Sequence, residues 1–178
     1  MLVANEFRQK QRRVATGMLA AFIISVTVIA GTLMVDPGPA LAVDERVVVA
    51  LRADIFGALW LFASIANVAR LRFFSGEDID GSGMTQATES VRIGNAIVQN
   101  TLEQAVLAIA AHMAIAAVLP GSTLLVVALV VLFCIGRACF WVGYRKGASG
   151  RAFGFALTFY PTALTLLLSA VLVFVQTV

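Results

Sequence analysis

Five arginines and a glutamate stand out in this apolar chain: Arg70, Arg72, Arg92, Arg137 and Arg151, with Glu103. Arg92, Asn95, Gln99 and Glu103 step by three or four residues, so on a helix they share one face, with Asn100 about 80° to the side. This stripe is expected to face inward. Arg137 and Tyr144 are seven residues apart and share a face with Phe140 and Trp141. Ionisable groups inside a membrane are costly and therefore mark functional sites. The cations outnumber the carboxylates near them, which suits an anionic ligand: guanidinium forks clamp carboxylates bidentately, and Glu103 can accept an amine. A plainer reading pairs Glu103 with Arg137 between helices, as polar side chains in bilayers commonly do.

The elements that must carry these residues follow from composition. Of 178 residues, 60% are hydrophobic and only 13% charged, with a mean hydropathy of +0.93; soluble domains carry about 25% charged residues. A soluble globular enzyme is excluded, and the apolar runs are too long for strands. The expected fold is all-α, a polytopic membrane helix bundle. Residues 14–35 form a first uncharged span, closed by Asp36-Pro37-Gly38-Pro39. Ala40-Leu41-Ala42 then resembles a signal-peptidase site, but the apolar run exceeds the roughly 7–15 residues of a signal peptide, which favours a retained helix. Further spans are expected at 47–69, 91–119, 123–144 and from 151 to the C-terminus, with 145–150 as a basic linker and Pro161 as a tolerated kink. The chain thus divides into 1–46, a basic tail with an extra transmembrane helix and outer loop, and 47–178, a four-helix membrane domain.

Lysine and arginine cluster on alternate sides: Arg8, Lys10, Arg12 and Arg13, then Arg70, Arg72 and Arg92, then Arg145, Lys146 and Arg151. The positive-inside rule places these in the cytoplasm and the C-terminus outside. The net charge of +3 is too small to argue for nucleic acid. Cys134 and Cys139 point about 140° apart on one helix and are read as packing residues. His112 is read as a packing or hydrogen-bonding residue, and Arg52 with Asp54 as a structural pair or a snorkelling arginine. Asp78-Ile79-Asp80-Gly81-Ser82-Gly83 with Glu89 satisfies calcium-loop spacing, yet Thr85 stands where an aliphatic residue is wanted. A solvated acidic turn is the preferred reading, and no metal is assigned.

The residues resemble the MAPEG family, the membrane-associated proteins in eicosanoid and glutathione metabolism. The likeness covers about 47–178 and rests on four elements in order. These are Arg70-Leu71-Arg72 ending a helix, Gln99-Asn100-Thr101-Leu102-Glu103 in the next, Gly136-Arg137 with Tyr144 in the following one, and Arg151 opening the last. The resemblance implies a four-helix subunit in a homotrimer, with glutathione as co-substrate bound between neighbours near the cytoplasmic side. It implies that Asn100, Glu103, Arg137 and Tyr144 hold glutathione; Gln99 and Arg92, on the same polar stripe, are further candidate binding residues, Arg92 as a substitute for the basic residue missing at Ala96. Arg70 or Arg72 would contact a carboxylate, and Arg151 would stabilise the thiolate. A guanidinium near a helix N-terminus lowers a thiol's pKa, and the thiolate is the nucleophile.

The expected activity is an integral membrane glutathione-dependent transferase or peroxidase whose hydrophobic small-molecule substrate arrives from the lipid bilayer. A bacterial-type member with an extra N-terminal helix would sit in the inner membrane. The pattern departs from the family at Ala96, Gln99, Ala152 and Phe155. The losses at Ala96, Ala152 and Phe155 motivate the alternative, a non-catalytic trimer of the same fold binding lipid headgroups or a protein partner.

Overall fold

The computed structural model describes residues 2–35, 41–81 and 84–177. They form five helices, α1 (Leu2–Met34), α2 (Val43–Phe73), α3 (Glu89–Val118), α4 (Thr123–Gly143) and α5 (Gly147–Thr177), with one 3-10 turn, Tyr144–Lys146, between the last two. Among the described residues there is no strand, as the composition predicted. The Asp36–Pro39 turn, Ala40, and Ser82 and Gly83 of the acidic loop lie outside the described residues.

Four continuous helical stretches are long and apolar enough to cross a membrane: Asn5–Met34, Val43–Phe73, Glu89–Val118 and Thr123–Gln176. The last is folded back on itself. A Cβ at Gly143 would overlap the Gly150 carbonyl, one at Gly154 would strike the Phe140 amide, and one at Gly136 would lie 2.6 Å from Thr158 Cγ2. As the numbers fall on α4 they rise on α5, so the two helices run antiparallel at a spacing only glycine allows. Gly147, at φ 78°, makes the reversal in a conformation that disfavours a side chain. At about 1.5 Å per residue, α4 is about 31 Å long, the thickness of the hydrocarbon core.

Several boundaries differ from the expectation. α1 is helical from Leu2, so the basic residues 8–13 extend the helix instead of forming a loose tail. α2 opens at Val43, which puts the 46/47 division inside its first turn. α5 opens at Gly147, so Ala148 to Gly150 are helical and the linker shrinks to the 3-10 turn. Small residues with no periodic apolar signal were misread there as a loop, although they are what close α4–α5 contact demands.

α1 packs along α5 through Gly17, Ala21 and Ser25, spaced by four. A Cβ at Gly17 would sit 3.3 Å from the Phe153 nitrogen, and Ala21 and Ser25 are fully buried. Ala21 joins Leu132, Ala156 and Leu157 in one core cluster. Gly31, farther along α1, faces open space. At the end of the bundle away from the arginines, Ala50, Ile115, Ala116, Leu125, Val126 and Leu129 form another cluster. Arg46 closes that end of α3. Its Nε donates to Ala116 O (2.8 Å), Nη2 to Ala117 O (3.2 Å) and Nη1 to Leu41 O (2.7 Å). Two of these carbonyls belong to the last turn of α3, which has no helical donors left for them. Phe56, Leu59, Phe62 and Ile65 of α2 point outward, an apolar exterior that lipid satisfies and water does not.

Candidate functional site

The site grows from a buried charge. Arg137 is 1% exposed. Its Nη1 donates to Asn100 Oδ1 at 2.9 Å and its Nη2 to Thr158 Oγ1 at 2.6 Å. The guanidinium lies over the rings of Phe140 (4.5 Å) and Phe133 (5.8 Å). α3, α4 and α5 thus meet at one cation with neutral and aromatic partners, a cation–π and charge-assisted arrangement. Thr158 passes the link onward, donating to Phe155 O at 2.8 Å. Sequence reasoning missed Thr158; its only signal was a hydroxyl in an apolar helix.

Next to this anchor lies a cavity of about 340 Å³, within the ~300–1,000 Å³ typical of small-ligand sites. Asn100, Phe140, Tyr144, Arg151 and Phe155 line it together with Ala96 and Ala152, and α1 closes one side with Val14 and Met18. The Arg151 guanidinium lies 4.5 Å from the centre of the Tyr144 ring, and Tyr144 makes an edge contact with Phe140 at 5.3 Å. Arg151 is level with Gly143, at the end of the α4 span. Being the fifth residue of α5, it lies beyond the helix's first amides, so its own charge, more than the helix dipole, sets the local potential.

The remaining sequence-derived residues are dispersed. The polar stripe of α3 does not face inward: Arg92, Gln99 and Glu103 are exposed on this chain, and Gln99 Nε2 donates to Glu103 Oε1 at 2.8 Å. Glu103 therefore does not pair with Arg137. The stripe's true inner neighbours are Val91, Gly94, Ile97, Thr101 and Gln104. The phase error arose because the helix turns its small and apolar residues to its own subunit. Arg92 does not line the cavity, nor does Arg137, which acts on it by holding Asn100. Arg70 lines a separate cavity with Arg145.

Arg72 lies beside Asp78. That carboxylate is buried and clasps the α2–α3 connection. Oδ1 accepts the Thr88 backbone N–H (2.9 Å), and Oδ2 accepts the hydroxyls of Thr88 (2.7 Å) and Ser75 (2.8 Å). The Thr88 amide chiefly, then the hydroxyls and Arg72, hold its carboxyl below the usual range, against the opposing pull of burial. Asp78 is thus an internal clasp, whereas Glu77, Asp80 and Glu89 around it are exposed, as in a solvated acidic turn. Among the described residues no group of three His, Cys, Asp or Glu side chains is placed to hold a metal.

Deeper in the bundle His112 Nδ1 and Asp54 Oδ1 are 2.6 Å apart, both buried. The hydrogen-bonding reading of His112 stands. Asp54 answers His112 across α2 and α3, not its neighbour Arg52.

A polytopic helical membrane protein with an arginine-walled cavity at one end of the bundle is the class that fold and site define. Residues 53–171 match the MAPEG family. The chain belongs to that family, whose membrane proteins are of glutathione-linked transferase and peroxidase type and generally trimeric. No curated protein and no solved structure matches it. The match begins within α2 and ends within α5, leaving α1 outside.

Proposed function

We propose that this protein is an integral membrane glutathione-dependent transferase or peroxidase acting on lipophilic electrophiles. The observation that carries the proposal is the cavity in which Asn100, Tyr144 and Arg151 converge. Arg151 stabilises the glutathione thiolate, Tyr144 holds the guanidinium from beneath, and Asn100, fixed by Arg137, donates to the tripeptide. The thiolate then attacks the electrophilic carbon, forming a thioether as the leaving group departs and takes a proton from water. With a peroxide it attacks the oxygen, breaking the O–O bond to give an alcohol and a glutathione sulfenic acid that a second glutathione converts to the disulfide and water.

Gln99 and Glu103 support a homotrimer. A carboxylate exposed on a membrane span is costly unless another protein surface covers it, and a neighbouring subunit's cavity would bring the glutathione amine to Glu103. In this assembly the thiol enters from the cytoplasm, on the side of the N-terminus, and the electrophile from the bilayer.

A second reading also has an observation behind it. Ala96, Ala152 and Phe155, three of the four departures from the family pattern, stand in the wall of this one cavity, which suits a trimer that kept the fold and lost the chemistry. Thiolate absorbance of bound glutathione and conjugation of a lipophilic electrophile, measured on purified protein, separate the two. The enzyme reading expects a thiolate band at neutral pH that Arg151→Ala abolishes. Absence of glutathione binding in the wild type would leave the non-catalytic reading.

A further inference from the structure

We propose that the second cavity at the basic end of the bundle binds a phosphate group, carried by an anionic lipid headgroup or free in solution. It measures about 310 Å³ and is walled by Asn67 and Arg70 of α2, Ser90 of α3, Trp141 and Val142 of α4, and Arg145 of the 3-10 turn. It shares no lining residue with the cavity of Arg151.

Two guanidiniums from separate elements border this space, and each is steadied by a neutral partner. Arg70 Nη2 donates to Asn67 Oδ1 at 3.1 Å, and Arg145 Nη2 donates to Ser90 Oγ at 3.4 Å. Among the described residues no carboxylate lines the cavity, so both charges are left for a ligand to balance. Asn67, with its oxygen occupied by Arg70, still offers its amide N–H groups. Ser90 is the second residue of α3; the Thr88 and Val91 amides at that helix start are already capped by Asp78 and by the Thr88 hydroxyl, so the side-chain donors are what remain for an anion. Donors converging from three elements suit a phosphate, whose several acceptor oxygens can meet them together, better than a two-oxygen carboxylate.

The place fits the same chemistry. The cavity lies where α2 and α4 end and α3 begins, at the level where chains leave the bilayer. Trp141 belongs at such an interface, and it is held edge-on against Trp60 at 6.3 Å. Val142 is 72% exposed and gives the mouth an apolar flank against which the first acyl carbons of a lipid can lie. Basic pockets between transmembrane helices are known headgroup sites.

Trp60 and Trp141 are the two tryptophans of the chain, so Trp60→Phe leaves Trp141 as a reporter on the cavity wall. The full chain in this background is titrated with inorganic phosphate in detergent. In parallel it is placed in nanodiscs of phosphatidylglycerol or of phosphatidylcholine. A saturable change in Trp141 emission is expected with phosphate, or with phosphatidylglycerol over phosphatidylcholine. Arg70→Gln is expected to weaken it roughly tenfold, and adding Arg145→Gln to weaken it further, the worth of one charge-assisted bond at each step. Both side chains are exposed, and an unchanged helical circular dichroism spectrum verifies that the variants fold. A response to free phosphate without lipid preference identifies a soluble source; a phosphatidylglycerol preference identifies the lipid. The proposal is overturned if neither probe changes the emission, or if the response survives in the double variant. It is equally overturned if glutathione elicits the response and phosphate does not, which would return Arg70 to the thiol.

Discussion

Arg46 and Arg151 sit at opposite ends of one bundle and use the same side chain in opposite ways. Arg46 is buried with its donors engaged by three backbone carbonyls. Arg151 rests on the face of Tyr144 and borders open space. A charge whose donors are consumed by its own chain ties elements together; one that stops at an aromatic ring in a cavity keeps its hydrogen bonds for a ligand. Arg137 belongs with Arg46 by its burial, and Arg70 and Arg145 belong with Arg151. Separation of these two groups makes the bundle both stable and available for binding.

The sharpest way to break this division is at Arg137. Arg137→Ala opens a void between Phe133 and Phe140 and strands Asn100 and Thr158, and is expected to cost roughly 3 kcal/mol of stability, read as a lowered unfolding midpoint in detergent. Arg137→Met refills most of the volume and is expected to recover much of that loss while glutathione binding stays weak, because Asn100 remains unheld. Full binding by the methionine variant would remove Arg137 from any positioning role.

Arg151→Ala should do the reverse. Turnover is expected to fall on the order of 100-fold, as when one preorganised charge-stabilising donor is lost, with the unfolding midpoint unchanged. A drop in stability instead of turnover would place Arg151 with Arg46.

A milder contrast lies at Asp54 and His112. Either single change to alanine leaves a buried partner alone and is expected to cost about 2 kcal/mol, while leucine at both positions restores most of it, since well-packed apolar replacements of buried polar pairs are often neutral. Thermal unfolding of the three variants checks this, and additive losses would contradict it.

The smallest effect concerns Asp78. Its folded carboxyl titrates below the ordinary range, so the clasp contributes fully above the unfolded value and is lost as the pH falls through the lower folded one. The Thr88 amide resonance should therefore hold steady through mildly acidic conditions and shift only in stronger acid. Asp78→Asn should remove that titration.

Much of the fold was legible from residue order. The spans lay where uncharged runs of about 20 residues must lie; Gly136 fell within α4 and Tyr144 just past its end, whereas Arg151, expected to open the last helix, is the fifth residue of a helix that begins at Gly147. The site was legible in part. Asn100, Tyr144 and Arg151 do converge, whereas Arg92, Gln99 and Glu103 share a face as predicted but turn it outward. Helical periodicity tells which residues are neighbours on a face and not which way the face looks. Gln99 and Glu103 were assigned to the interior because polar groups avoid lipid, a rule that the exposed face of α3 on this chain does not follow.

Residue order was sufficient to decide that this chain is a bundle of membrane helices with most of its cations gathered at one end. Each backbone group in lipid must be satisfied within its own helix, and charge is cheapest at helix ends. It could not decide which cations are occupied and which are open. That depends on pairings such as Arg137 with Asn100 and Thr158, 37 and 21 residues away, which exist only when three helices have packed.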